Sequence, residues 1–114
     1  MSLKSLPPTI RKKQRYIVFK IESDNVFSIG DVVDSLWNDL LDFLGEAGIS
    51  EADPWIMKDL FYEDKQIAGI RTDKDNVEDI RTALALINEI KGEKVCIFVK
   101  GVSGTLESAR EKFV

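Results

Sequence analysis

Apolar residues along this chain follow two periods. The run Tyr16-Ile17-Val18-Phe19-Lys20-Ile21 is β-branched and aromatic, which predicts a strand. Its alternation puts Ile17, Phe19 and Ile21 on one face and Tyr16, Val18 and Lys20 on the other. Beyond Ser28 the period changes. Ile29, Val33, Leu36, Leu40 and Leu44 recur at helical spacing, with Ser28 as N-cap and Asp31 three residues on. Gly45 or Gly48 is predicted to end this helix. Val32, Leu41 and Phe43 widen the stripe, so more than one side of it should be covered.

Alternation returns after Pro54. Residues 55–62 and 66–72, separated by Glu63-Asp64-Lys65, predict an antiparallel hairpin. Asp75-Asn76-Val77-Glu78 reads as a capping box for a second helix. Its apolar positions are Val77, Ile80, Ala83, Leu84, Ile87 and Ile90, and Gly92 is the predicted C-cap. A last strand follows over residues 95–100. The turn Gly101-Val102-Ser103-Gly104 then leads into a short helix capped by Thr105 and ending near Phe113. The order β-α-β-β-α-β predicts an α+β, ferredoxin-like fold: a four-stranded antiparallel sheet with helices on one face, plus a C-terminal helix.

Length fits one such domain. A chain of 114 residues buries about two-thirds of the surface its unfolded form exposes, enough for a single core. No apolar leader with a cleavage pattern and no apolar stretch of membrane-spanning length is visible, which predicts a cytoplasmic protein away from membranes. Cys96 is the only cysteine and there is no histidine. The common Ser-His-Asp and Cys-His nucleophile systems and most zinc sites are therefore excluded.

Charge divides the chain. The net charge is −4, but five of the sixteen basic residues (Lys4, Arg11, Lys12, Lys13 and Arg15) lie in the first 15 positions with no acid among them. The other 99 positions carry eleven basic and twenty acidic residues, a balance of −9. Residues 1–14, containing Pro7-Pro8, read as an extended basic arm, and 15–114 as the domain. Such an arm suits RNA phosphates without sequence readout. Between Ile21 and Met57 there are nine acids and no base, among them Asp31, Asp34, Asp39, Asp42 and Glu46 on the first helix. That face suits solvent or a basic protein partner.

No catalytic constellation, metal-ligand set or phosphate loop of Walker type emerges. Residues 66–72 hold no aromatic, which argues against base stacking of the RNA-recognition-motif kind. Tyr16, Trp55 and Phe98 are assigned to the core or to a protein interface. Arg71, Lys58, Lys65 and Lys100 are candidates for positive charge on the sheet side. Ser103 and Thr105 offer hydroxyls beside two glycines and a helix N-terminus, an arrangement able to present N–H groups to a phosphate.

Three segments resemble one family, that of archaeal ribonuclease P protein component 2. They are the opening Pro8-Thr9-Ile10-Arg11-Lys12-Lys13-Gln14-Arg15-Tyr16-Ile17, the helical Ala83-Leu84-Ala85-Leu86-Ile87-Asn88-Glu89-Ile90, and Gly101-Val102-Ser103-Gly104-Thr105-Leu106. The resemblance spans about Pro8 to Phe113, and Trp37 in an acidic first helix also fits it.

The resemblance implies a noncatalytic subunit that supports ribonuclease P RNA in removing the 5′ leader from precursor tRNA. Metal ions would be bound by the RNA, with no cofactor on this chain. It further implies a heterodimer with ribonuclease P protein component 3, two such pairs joining through this subunit. The expected RNA contacts are Arg11, Lys12, Lys13 and Arg15, with Ser103, Thr105, Arg110 and Lys112 as secondary ones. The competing expectation is a small ligand-sensing or scaffolding domain that dimerises and binds no RNA.

Overall fold

The computed structural model describes residues 13–114. Strand β1 (Gln14–Glu22) leads to helix α1 (Ile29–Ala52), β2 (Trp55–Ile56) and β3 (Ile67–Asp73). Helix α2 (Val77–Leu86), the short strands β4 (Glu89–Ile90) and β5 (Glu93–Lys94), β6 (Cys96–Ser103) and α3 (Leu106–Phe113) complete the order. The main sheet runs β2-β3-β1-β6 and every pair in it is antiparallel. This is the ferredoxin-like topology, with the first and third of the four strands at the centre.

Alternation in β1 builds two cores. Ile17, Phe19 and Ile21 face α1 and α2 together with Ala68 and Ile70 of β3, Val32, Leu36 and Leu40 of α1, and Ile80 and Leu84 of α2. On the other face, Val18 and Ile67 pack with Leu60 and Ala109 under α3. Covering elements come very close there. A Cβ on Gly69 would stand 2.7 Å from Leu60 Cβ, and one on Gly101 would stand 2.6 Å from Phe113 Cδ1. Both positions therefore exclude any side chain while Leu60 and Phe113 hold their places.

Helix α1 begins as predicted, with Asp31 N–H donating to Ser28 Oγ at 3.3 Å and Ser28 N–H to Asp31 Oδ2. Gly45 interrupts the helix (φ 73°, ψ 173°) without ending it. Two more turns follow, and Asp53 closes them in the left-handed region. Thr72 Oγ1 donates to the Ala52 carbonyl at 2.8 Å, which ties the resumed helix to β3. Gly48 stays helical.

The predicted strand over 55–62 is cut short. Only Trp55 and Ile56 pair with β3, a 3-10 turn at Lys58–Leu60 follows, and a lone bridge joins Tyr62 to Ile67. The turn lets Leu60 bury itself fully over Gly69, which a straight strand would not allow. Gln66, at φ 52°, fastens the neighbouring loops: its amide accepts from Phe27 N–H at 2.9 Å and donates to the carbonyls of Phe27 and Glu63.

The second helix also differs at both ends. Asn76 makes no side-chain cap; Asp73 instead accepts from Asp75 N–H through a 3-10 turn. At the far end the helix stops at Leu86, six residues before Gly92. Lys91 and Gly92, both at positive φ, form a two-residue turn between β4 and β5. Ile87 and Ile90 are buried in this form too, so their spacing serves a helix or a hairpin equally. Finally, β6 runs through Gly101 and Val102 to Ser103, making the predicted glycine turn mostly strand.

Candidate nucleic-acid interface

The β1–β3 and β1–β6 registers arrange the α3 face of the sheet as three rows. Val18 lies between Gly69 and Gly101 in the middle row, beneath Leu60 and Phe113. A flanking row runs Trp55, Arg71, Tyr16, Ser103 across all four strands. Ile67, Lys20 and Phe98 make the third, with Phe98 52% exposed. Helix α3 thus covers the middle of the surface on which an RNA recognition motif stacks bases, and leaves Trp55 and Phe98 exposed at its two edges.

The expected RNA contacts fall in different places. Arg11 and Lys12 lie outside the described residues. Lys13 is exposed just before β1, its carbonyl accepting from Lys74 N–H at 2.9 Å. In β1, Arg15 donates from Nη1 to the Gln14 carbonyl at 2.9 Å, and the same nitrogen lies 4.0 Å from where a Cβ on Gly104 would stand. The structure therefore brings Arg15 to the β6–α3 turn, 89 positions along the chain.

The hydroxyls of that turn are engaged locally. Ser103 is buried; its Oγ donates to the Thr105 carbonyl at 3.1 Å and accepts from Thr105 N–H at 3.3 Å. Thr105 Oγ1 caps α3 by accepting from Ser108 N–H at 3.1 Å. Arg110 points elsewhere, donating from Nε and Nη2 to the Asp59 carbonyl in the 3-10 turn, while Lys112 is exposed near the end of α3. Arg15 and Gly104 thus form one locus, and Arg110 belongs to another.

Sequence reasoning assigned Arg71, Trp55 and Tyr16 to general roles and missed their union. The Arg71 guanidinium carbon lies 5.8 Å from the Trp55 ring centroid. No carboxylate among the described residues pairs with Arg71, and its Nε is buried without a hydrogen-bond partner. Trp55 is 54% exposed, so it belongs to neither core. Only the pairing register reveals this row; spacing of 16 residues between Trp55 and Arg71 does not.

The acidic face lies on α1. Asp39 sits beside Asp42 and Glu89 in a cleft between α1 and the α2–β4 segment. Partial burial, then the Asp42 and Glu89 charges, push its carboxyl above the ordinary carboxylate range. Among the described residues no group of three or more His, Cys, Asp or Glu is placed to hold a metal ion. Val33, Trp37 and Leu41 form an exposed apolar stripe on the same helix.

These features define a ferredoxin-like domain with basic and aromatic groups at one end of its sheet and an acidic, partly apolar first helix. The sequence model of the Rpp14/Pop5 family matches residues 15–114. The chain is 43% identical over 111 residues to ribonuclease P protein component 2 of Pyrococcus furiosus, covering 97% of this chain and 91% of that protein. It is 41% identical over 112 residues to the component 2 of Methanocaldococcus jannaschii, covering 98% and 81%. A chain in the cryo-EM structure of yeast ribonuclease MRP superposes with a TM-score of 0.63 at 15% identity, over 84% of this chain and 77% of that one; this likeness concerns the fold. The chain belongs to the Rpp14/Pop5 family.

Proposed function

We propose that this chain is a noncatalytic protein subunit of ribonuclease P, supporting the RNA subunit as it removes the 5′ leader from precursor tRNA in the cytoplasm. The observation that carries this reading is identity above 40% with two component 2 proteins along nearly the whole chain. In this reading the RNA and its metal ions perform the hydrolysis, so the protein needs no nucleophile, base or cofactor of its own. Its basic residues neutralise phosphates near the catalytic core. Arg11, Lys12, Lys13 and Arg15 are the principal contacts, and Lys112 lies free to add another. Ribonuclease P protein component 3 is the partner, and the acidic, apolar α1 is a surface suited to a protein, with two such pairs joining through this subunit.

Reconstitution tests the reading. The full chain is combined with ribonuclease P RNA and component 3, and leader removal is followed from low to high salt. Activity should depend on the chain. Changing Arg11, Lys12, Lys13 and Arg15 to Ala should flatten the log–log salt dependence by about 0.7 for each lost phosphate contact on single-stranded RNA. Equal cleavage with and without the chain would overturn the proposal and favour the dimerising, RNA-independent domain.

A further inference from the structure

We propose that Trp55 and Arg71 form a binding site for one nucleotide of single-stranded RNA, the base stacking on the indole and the phosphate held by the guanidinium. The inference rests on the reading that this chain works on RNA, and it adds a contact separate from the basic arm.

Three observations carry it. First, Trp55 is both exposed and fixed: its Nε1–H donates to Asp53 Oδ1 at 3.0 Å and its backbone pairs with β3 at the sheet edge. An aromatic plane held in advance loses little freedom when a base settles on it. Second, among the described residues Arg71 has no carboxylate partner and its Nε has no acceptor. A buried N–H left without an acceptor is costly, and no anion among the described residues relieves it. A phosphate matches the planar fork of a guanidinium better than a point charge would.

Third, the two groups are direct cross-strand partners with the cation beside the ring. Every nucleotide carries one base and one phosphate joined at short range, so adjacent stacking and phosphate-binding groups match its repeating unit without reading sequence. Tyr16 continues the row on the other side of Arg71, which gives the strand a direction across the sheet end. A docking protein would use the indole but has no need of the unpaired guanidinium unless it brings an acid.

The test uses the full chain with Trp37→Phe, leaving Trp55 as its sole tryptophan, and a uridine decamer as probe. Trp55 emission should be quenched saturably as the decamer is added. In anisotropy with labelled decamer, Trp55→Ala should weaken binding by about tenfold. Arg71→Gln should lower the salt slope by about 0.7, and Arg71→Lys should retain it. Thermal melts of each variant establish that it is folded, and the exposed Trp55→Ala decides the matter where Arg71→Gln does not fold.

Unchanged Trp55 emission while the labelled decamer saturates, or no decamer binding at all, overturns the site. So does equal quenching and competition by polyglutamate, which would assign it to an acidic protein segment. Leader removal by the reconstituted complex separates the two claims. If cleavage needs the chain yet Trp55→Ala and Arg71→Gln bind the decamer as the parent does, the nucleotide site falls and the subunit reading stands.

Discussion

The two faces of the sheet are built on different rules. Beneath α1 and α2 the contacts are made by large side chains meeting large side chains: Phe19 and Ile21 from β1, Leu36 and Leu40 from α1, Leu84 from α2. Beneath α3 the contacts require missing side chains, because Leu60 and Phe113 occupy the space over Gly69 and Gly101. The first face is filled by volume and leaves nothing exposed at its centre. The second leaves Trp55 exposed at one edge, beside the partly buried Arg71 and Tyr16. A small cover over a sheet therefore stabilises the domain while keeping polar and aromatic groups available.

Substitutions can sharpen that contrast. On the α1–α2 face, Phe19→Ala should be the most damaging single change, lowering stability by about 3–5 kcal/mol in urea unfolding, since Phe19 is fully buried and its neighbours cannot all collapse into the void. A loss under about 1 kcal/mol would mean that this face is loosely packed. On the α3 face the sensitive direction is reversed. Gly69→Ala should cost about 1–3 kcal/mol by overpacking against Leu60. Combined with Leu60→Gly, which removes the Cβ standing 2.7 Å away along with the rest of the side chain, the added methyl should fit, so the double variant should be clearly more stable than the sum of the two losses predicts. Simple additivity would show that Leu60 and Gly69 are not in close contact, and the contrast between the faces would fail.

The same contrast explains what could be read before the fold was seen. The α1–α2 core follows from period alone: Ile17, Phe19 and Ile21 alternate, Leu36, Leu40, Ile80 and Leu84 recur helically, and all are buried. Element order and fold class follow from those periods. The α3 face resists such reading, because a glycine in a strand carries no period and Gly101 looked like a turn residue. Its true partner, Phe113, is twelve positions away in another element. Leu60 falls within a predicted strand for a similar reason, since alternation does not register a 3-10 turn that brings a side chain over Gly69. The site divides likewise. The basic cluster around Lys13 and Arg15 was visible as composition, whereas the Trp55–Arg71–Tyr16 row depends on register between distant segments.

The α1 surface allows a finer test, through Asp39. Burial and the nearby Asp42 and Glu89 carboxylates raise its folded-state pKa above the unfolded value of about 4. Between the two pKa values the folded protein binds more protons than the unfolded chain, so stability falls as pH rises through that interval. Above it, the ionised Asp39 remains a small destabilising charge, small because the carboxyl is only partly buried and solvent screens it. Asp39→Asn should therefore raise the melting temperature slightly at neutral pH. The gain should shrink as pH drops below the ordinary carboxylate range, where both states are protonated. Asp34→Asn provides the comparison: Asp34 pairs with Lys91 at 3.5 Å on an exposed part of the same helix, so its removal should bring no gain. A melting temperature lowered by Asp39→Asn, or a gain that grows toward low pH, would show that Asp39 is favourably paired as an anion and that the acidic face of α1 is not under strain from its own charge.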